Sequence, residues 1–317
     1  MKQSPPSCLR GSSRGMSLIE MMISIVIGLV ITIAIVSAYL GSAGATRLSE
    51  AQVRMNEDGQ AALTILAQQI RMAGNNPKQV NYTAAVPRNP IYDSTSTFIV
   101  RGCDGTFTNI NTAANMGALT CAGGGSPDSV AISYEADRYN TIPTTNSSTD
   151  CLGNGLATRS ASVDVWNGAA SVPVNVTFTV ADNRFYIGTS TVITSPSLYC
   201  KGNGSPNQQP LVENIEDLQL RYGTAPVTAT STLSVAGYLN ADQVSALGLP
   251  GGDPENWSKV LTVRICVVVR SERPLLPDAE SARYLKCDGT LSSAQSDLLL
   301  RRAYVSSVVL RNRAPAP

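Results

Sequence analysis

Histidine is absent from all 317 residues of the sequence. The Ser-His and Cys-His pairs of nucleophilic catalysis need an imidazole as base, so this absence excludes them, and it also excludes histidine-ligated metal sites. Chemistry based on carboxylates or lysine is still open. The composition therefore disfavours an enzyme, and we predict no catalytic residue, no metal site and no cofactor.

Charge is also scarce, because Asp, Glu, Lys and Arg make up only 15% of the chain and the formal net charge is +1. This balance gives no broad positive field, so no nucleic-acid partner is expected. The sequence has no C-x-x-C pair, which disfavours zinc and thioredoxin-like sites. Its many Ser, Thr, Asn and Gly residues are typical of a secreted, loop-rich β protein.

The N-terminus combines a short basic segment with a long apolar one. Residues 1–15 carry Lys2, Arg10 and Arg14 and no acidic residue, whereas Met21–Leu40 is a run of 20 residues without a charge. A helix of that length crosses about 30 Å of hydrocarbon. The basic residues should stay cytoplasmic, which predicts a single pass with the rest of the chain outside. No A-x-A-like cleavage site follows the apolar run, so we expect a retained anchor.

Glu20 is an ionisable residue at the start of this apolar segment, where a charge is costly. One interpretation is an interfacial glutamate of an ordinary signal anchor. The run Gly15-Met16-Ser17-Leu18-Ile19-Glu20, however, resembles the processing site of type IV prepilins and pseudopilins. The resemblance implies that a prepilin peptidase cuts between Gly15 and Met16 and methylates the new amine of Met16. The usual residue after the cut is phenylalanine, so Met16 departs from the pattern.

The same resemblance implies a role for Glu20 in subunit registry. In an assembling filament its carboxylate would pair with the cationic N-terminus of a neighbouring subunit. A buried charge is tolerated when a partner neutralises it, and an unpaired charge penalises misregistered packing.

An amphipathic helix is predicted to continue the apolar one. Apolar spacing marks one face of Thr46–Met72, and Gly74 to Pro77 supplies the stop, which together predict a helix from about Ser17 to Ala73. We expect Glu50–Arg54 and Arg54–Asp58 to form opposite-charge pairs on the exposed face. The predicted buried face contains Leu48, Ala51, Met55, Ala62, Ile65 and Gln69, beside Leu66 and Ile70.

Beyond Pro77 the chain alternates short β-like runs with turn-rich segments, and it is predicted to form an antiparallel, β-rich head with long loops. The fold class is therefore α+β. The long loops are expected at Thr106–Pro127, Asn140–Arg159 and Tyr222–Gly252. Strands are expected at Thr97–Arg101, Val130–Tyr134, Val174–Val180, Arg184–Ile187, Leu218–Tyr222, Val260–Arg270 and Arg302–Leu310.

Removal of the leader would take Cys8 with it and leave an even number of cysteines, as expected for a disulfide framework outside the cytoplasm. Sequential pairing is our preferred choice among the 15 possible connectivities. A buried free thiol at Cys266, inside an apolar strand, is the alternative there. The candidate disulfide residues are Cys103, Cys121, Cys151, Cys200, Cys266 and Cys287.

Several downstream segments resemble PilW-type minor pilins of the type IV pilus. They are Gln69–Gly74, Leu211–Gly223, the run Val260–Ser271 with Trp257 before it, and Arg302–Arg313. Residues 78–205 carry no recognisable resemblance. The resemblance implies a type IV pilin-like fold and a part in pilus assembly and initiation, with a position near the tip.

The predicted organisation is a cleaved leader over residues 1–15, a membrane or filament-core helix over 16–45, its amphipathic continuation over 46–76, and a disulfide-containing head over 77–317. The implied partners are the prepilin peptidase, the major and other minor pilins, the inner membrane and a tip adhesin. The chain would lie in the inner membrane with its head in the periplasm, and then in the pilus, which serves twitching motility. A type II secretion pseudopilin is one alternative, and a signal-anchored periplasmic binding or adhesion module is another.

Overall fold

The computed structural model describes residues 15–76, 98–125, 127–142, 147–166, 168–227 and 234–312. The chain divides into two compact units, Met1–Glu50 and Ala51–Pro317. The start of the strand predicted at Thr97 and the end of the segment at Arg313 lie outside the described residues.

One long helix precedes an array of antiparallel strands, as predicted for the fold class. The helices are α1 (Leu18–Met72), α2 (Ala241–Ser245) and α3 (Gly252–Ser258). The strands are β1 (Val100–Cys103), β2 (Ser129–Glu135), β3 (Thr158–Trp166), β4 (Ser171–Gly188), β5 (Ser197–Lys201), β6 (Gln209–Glu213), β7 (Ile215–Thr224), β8 (Gly237–Leu239), β9 (Val260–Arg270) and β10 (Arg301–Val309).

Helix α1 ends within a residue of the position that its stop signal predicts. Gly74 follows the last helical turn with φ of +71°, a left-handed conformation that glycine adopts without strain. The amide of Gly74 donates to the carbonyl of Ser133 at 2.9 Å, which ties the end of the helix to β2. A Cβ at position 74 would also lie 3.2 Å from Ile99 Cδ1, a tight contact to which that side chain would have to adjust.

Within the second unit, α1 buries a stripe of residues three and four apart. Leu48 and Ala51, predicted for this stripe, are only half-buried, and so are Ile65 and Gln69, because the buried stripe is rotated toward Gly59, Leu63 and Ala67. The ion pair that Arg54 makes is with Glu272, with Nη1 3.3 Å from Oε1. Burial and neighbouring carboxylates raise the pKa of Asp58, and the charge of Arg54 also acts on this carboxyl, lowering its pKa against those larger effects. The buried residues are Met55, Gly59, Ala62, Leu63, Leu66, Ala67 and Ile70.

The strands form two antiparallel sheets. The first has the order β1-β2-β4-β5-β6, and β3 pairs with the first half of β4. The second has the order β10-β9-β7-β8. The predicted strand Val260–Arg270 is confirmed with the same bounds, and β10 lies one residue before its predicted position.

Other strand predictions are wrong in the middle of the chain. The two short strands predicted over residues 174–187 are one strand, β4, because the polar residues in its middle find partners within the sheet and on α1. Asn183 Nδ2 donates to Gln69 Oε1 at 2.9 Å, and Arg184 Nη2 lies 2.8 Å from Asp182 Oδ2. Strands β3, β5, β6 and β8 were not predicted. The loop expected at Tyr222–Gly252 also contains helix α2.

Buried apolar side chains from α1, both sheets and the short helices form one core. Tyr222 of β7 and Trp257 of α3 are fully buried in it, with ring centroids 4.8 Å apart and an edge-to-face geometry. Trp257 Nε1 donates to Ser245 Oγ at 3.1 Å, so the indole keeps a hydrogen bond. Leu218 and Leu220 of β7 are also buried.

Candidate functional site

The predicted processing site lies at an exposed chain segment just before the long helix. Gly15 and Met16 are both exposed, and α1 begins at Leu18. The amide of Met21 donates to the carbonyl of Ser17 at 3.1 Å and closes the first turn. A cut after Gly15 would therefore leave a free amine two residues before the helix begins.

Glu20 lies in the first turn of α1, where the unpaired amides of a helix N-terminus favour an acidic side chain. Its side chain is exposed, and its carbonyl accepts from Ser24 Oγ at 2.7 Å. It is the only charged residue between positions 16 and 46 of the sequence. The carboxylate therefore stands alone within an apolar surface.

That apolar surface runs along the whole first part of α1 and is uncovered. Every residue from 15 to 42 is exposed, and the large apolar side chains from Met16 to Leu40 are 50% to 79% exposed. Soluble monomers rarely expose apolar patches larger than a few hundred Å². Among the described residues, α1 is the one helix that is long and apolar enough to cross a membrane, by length and composition. Lipid or other helices must therefore cover it.

Three disulfides hold the head, and they pair the six cysteines in sequence order. Their Cα–Cα distances are 5.5 Å for Cys103–Cys121, 6.6 Å for Cys151–Cys200 and 5.8 Å for Cys266–Cys287. Cys266 is bonded, so the alternative of a buried free thiol there is wrong. The first and third bridges fix the loops beside β1 and β9, and the second ties the segment before β3 to β5.

Asp128 is a buried carboxyl that the sequence did not single out, since Pro-Asp before a strand resembles an ordinary turn. It is 4% exposed, and its Oδ2 accepts from the amide of Leu220 at 2.7 Å. Burial raises the pKa of Asp128 to about 7, the amide of Leu220 opposes that rise, and the carboxylate of Asp104 adds to it. Two backbone amides hold this carboxyl between β2 and β7, since Gly105 N also donates to its Oδ1 at 3.4 Å.

We expect the stability of the folded head to fall as the pH rises from about 4 to about 7. The folded-state pKa of Asp128, about 7, lies above the ordinary value of 3.8. The folded protein therefore holds a proton that the unfolded chain releases, and the stabilisation present at low pH is lost as the pH rises through 7. Between pH 5 and pH 8 the loss is about 3 kcal/mol.

Urea unfolding of the oxidised, detergent-solubilised chain at pH 5 and pH 8 measures this change. Asp128→Asn is the control, because the amide is neutral at both values and should reduce the difference. An unfolding free energy that rises between pH 5 and pH 8 in the native chain, or an equal change in Asp128→Asn, would contradict the prediction.

Two grooves in the head contain charged residues, but neither has the arrangement of a catalytic centre. The first, of about 310 Å³, has Arg184 and Lys201 in its wall, and both cations are already bonded to backbone carbonyls. The second, of about 450 Å³, has Glu57, Asp58 and Glu213 among its lining residues. In the part of the chain that the structure describes, no group of three or more His, Cys, Asp or Glu side chains could hold a metal ion.

Comparison with known proteins identifies both ends of the chain. Residues 184–312 match the family described as type IV pilus-assembly protein W, and residues 10–36 match the prokaryotic N-terminal methylation motif. No curated protein and no solved structure matches the chain.

These two matches confirm the predicted resemblance to PilW-type pilins. The first covers Leu211–Gly223, the strand β9 and nearly all of the C-terminal segment, and the second covers Gly15, Met16 and Glu20. The segment Gln69–Gly74 lies outside both. The matched families describe a structural pilus component with a prepilin N-terminus.

Proposed function

We propose that this type IV pilus-related, pilin-like protein is a minor pilin that acts in pilus assembly and initiation. The proposal rests on one combination of features. A prepilin methylation motif leads into an apolar helix that no other described part of the chain covers. The same chain has a β-rich, disulfide-bonded head that contains the segment matching the PilW family. Such a chain has a surface for inserting into lipid or a helical bundle and a head that can stay outside it.

The processing step in this proposal is cleavage between Gly15 and Met16 by a prepilin peptidase, followed by methylation of the Met16 amine. The exposure of both residues, two positions before α1 begins, supports access by a peptidase. Residues 1–15 would then be the leader, 16–45 the membrane and filament-core helix, 46–76 its amphipathic continuation and 77–317 the head.

Before assembly the chain would cross the inner membrane once, with its head in the periplasm. The basic residues Lys2, Arg10 and Arg14 precede the apolar run and favour a cytoplasmic N-terminus. The three disulfides fit a head that folds in an oxidising compartment. In the pilus, the apolar helix would exchange lipid for the helices of neighbouring pilins.

Its partners in that bundle would be the major pilin and other minor pilins. A carboxylate in an apolar bundle needs a cation, and the methylated N-terminus of an adjacent subunit would supply one for Glu20. The large head, with its long loops, suits a low-copy subunit near the tip better than a repeated position along a tightly packed shaft. A structural role of this kind needs no catalytic residue.

A type II secretion pseudopilin shares the N-terminal features. The experiment must therefore distinguish a role in the type IV pilus from a role in type II secretion. We expect deletion of the gene to reduce surface pili, counted by electron microscopy after shearing, and to leave secreted enzymes unchanged. Expression of the native chain should restore pili. Normal pili with a loss of secretion would identify a pseudopilin and overturn the proposal.

A further inference from the structure

Two arginines lie directly opposite each other on the second sheet. Arg221 of β7 is the register partner of Arg264 of β9, and Ser307 of β10 continues the same row. All three residues are exposed. Side chains of directly opposed residues lie on the same face, with Cβ atoms about 5 Å apart. The two guanidinium groups therefore emerge side by side from two adjacent strands.

Neither guanidinium group makes an ion pair or a hydrogen bond within the described residues, although like charges at directly opposed positions destabilise a sheet. Four other strand and helix arginines of the head differ, since each has a carboxylate within 4 Å. They are Arg54 with Glu272 at 3.3 Å, Arg101 with Asp253 at 3.4 Å, Arg184 with Asp182 at 2.8 Å and Arg301 with Glu216 at 2.7 Å. The pair thus has positive charge without a compensating acid.

The rows on either side of the two arginines add exposed apolar and aromatic surface. Val309 lies opposite Thr262 in one row, and Thr262 Oγ1 donates to Tyr238 Oη at 3.4 Å. Val305 lies in the other row. Tyr238, Val305 and Val309 are 49%, 48% and 56% exposed. Arginine and tyrosine bordered by apolar contacts are typical of the centre of a protein interface.

We propose that this arginine patch (Arg221, Arg264, Tyr238, Val305 and Val309) docks an acidic segment of a different pilin subunit. The inference rests on the proposed function. A guanidinium binds a carboxylate through two parallel hydrogen bonds, so the patch fits two carboxylates about 5–6 Å apart. Acidic residues at i and i+4 of a helix, or at opposed positions of a strand pair, have that spacing.

Two other occupants fit less well. Anionic lipid surfaces are recognised by clusters of four to eight basic residues, and this patch has two. A second copy of the chain could present its own acidic groove, where burial and the neighbouring carboxylates of Glu272, Glu57 and Glu213 raise the pKa of Asp58. A low-copy subunit, however, meets other pilins more often than itself.

The test uses the full chain in a piliated host that lacks the native gene. We expect Arg221→Glu/Arg264→Glu to lower its amount in sheared pili, relative to the major pilin, about tenfold or more, because reversal places two carboxylates against the acidic partner in place of two cations. Arg138→Glu/Arg159→Glu is the matched control, with the same charge change at exposed positions elsewhere, and should be incorporated normally. Mobility on a non-reducing gel verifies that the disulfides form.

Equal incorporation of the patch variant and the native chain would overturn the docking surface alone. If the host forms normal pili without the gene, and the native chain is absent from pili when it is expressed, the proposed function and this inference are both overturned. Loss of self-association by the patch variant in detergent, with pilus incorporation unchanged, would identify a second copy as the occupant and reject a different pilin.

A second experiment does not depend on whether the charge-reversal variant folds. It places a photo-crosslinking residue at Ser307 and leaves both arginines unchanged. In assembled pili, a crosslink to another pilin that carries an acidic segment supports the proposal. A crosslink to lipid or to a second copy, or no crosslink when the chain is present in the pilus, rejects it. The same residue in place of Ser160, on β3, is the control and should give no such product.

Discussion

Replacement of Glu20 by alanine is expected to lower the amount of this chain in sheared pili about tenfold or more. The variant should still insert into the membrane, because the apolar run from Met21 to Leu40 is unchanged. It should also still be cut after Gly15. The loss arises at assembly, where the N-terminal amine of a neighbouring subunit would be left without its carboxylate in an apolar bundle, and an unpaired buried charge is strongly unfavourable.

Immunoblots of membrane and pilus fractions measure this loss, and intact mass shows whether each chain begins at Met16 with a methylated amine. Glu50→Ala is the matched control, since it removes an exposed glutamate from the same helix. A Glu20→Ala chain present in pili at the native level would reject the registry role. A native chain that keeps residues 1–15 in a host with the peptidase would reject the processing step.

Gly102→Ala should produce the largest loss of stability that we expect from a single methyl group. Gly102 lies in β1 opposite Val130, and its added Cβ would lie 2.0 Å from Tyr222 Oη and 3.2 Å from Trp257 Cη2. Both rings are fully buried, so neither can turn away without opening the core. Overpacking of this kind costs on the order of 3 kcal/mol, or about 10 °C in Tm for a head of this size.

Thermal unfolding of the oxidised chain measures the effect. Gly124→Ala is the matched control, because its Cβ would meet no heavy atom within 4 Å, and the same gain of chain stiffness should leave Tm nearly unchanged or slightly raised. Gly102→Ala/Tyr222→Phe removes the nearest clashing oxygen and should recover part of the loss. Equal Tm values for the two alanine variants would show that the core rearranges to accommodate the methyl group, which would contradict the prediction.

The elements that the sequence predicts well are those whose own residues determine them. Strand β9 is a nearly continuous apolar run that is buried except around Thr262 and Arg264, and α1 has an apolar run, an amphipathic pattern and a glycine stop. Strand β4 was divided because Asp182 and Asn183 look like a turn, yet their side chains find partners on β4, β2 and α1. These hydrogen bonds depend on residues far away in the chain, so the local sequence pattern around positions 182 and 183 does not indicate them.

The same limit applies to the candidate sites. Gly15, Met16 and Glu20 form a contiguous motif, so sequence alone locates them. The opposition of Arg221 and Arg264 depends on the register between β7 and β9. A long connection separates these two strands in the chain, and their pairing includes register shifts. The burial of Asp128 likewise follows from the docking of β7 against β2, and nothing in the neighbouring residues indicates it.

The positions of the cysteines have a mechanical consequence. No cysteine lies between positions 8 and 103, so none of the three bridges reaches α1, and the longest bridged span, Cys151–Cys200, covers 49 residues of the head. If a pilus transmits tension through its helical core, the sheets take up that load through the backbone after α1 and through non-covalent contacts such as the hydrogen bond that Tyr304 Oη donates to Asn56 Oδ1 at 2.6 Å. Helix α1 should peel from the sheets first, and the bridges then limit how far the remaining chain can extend.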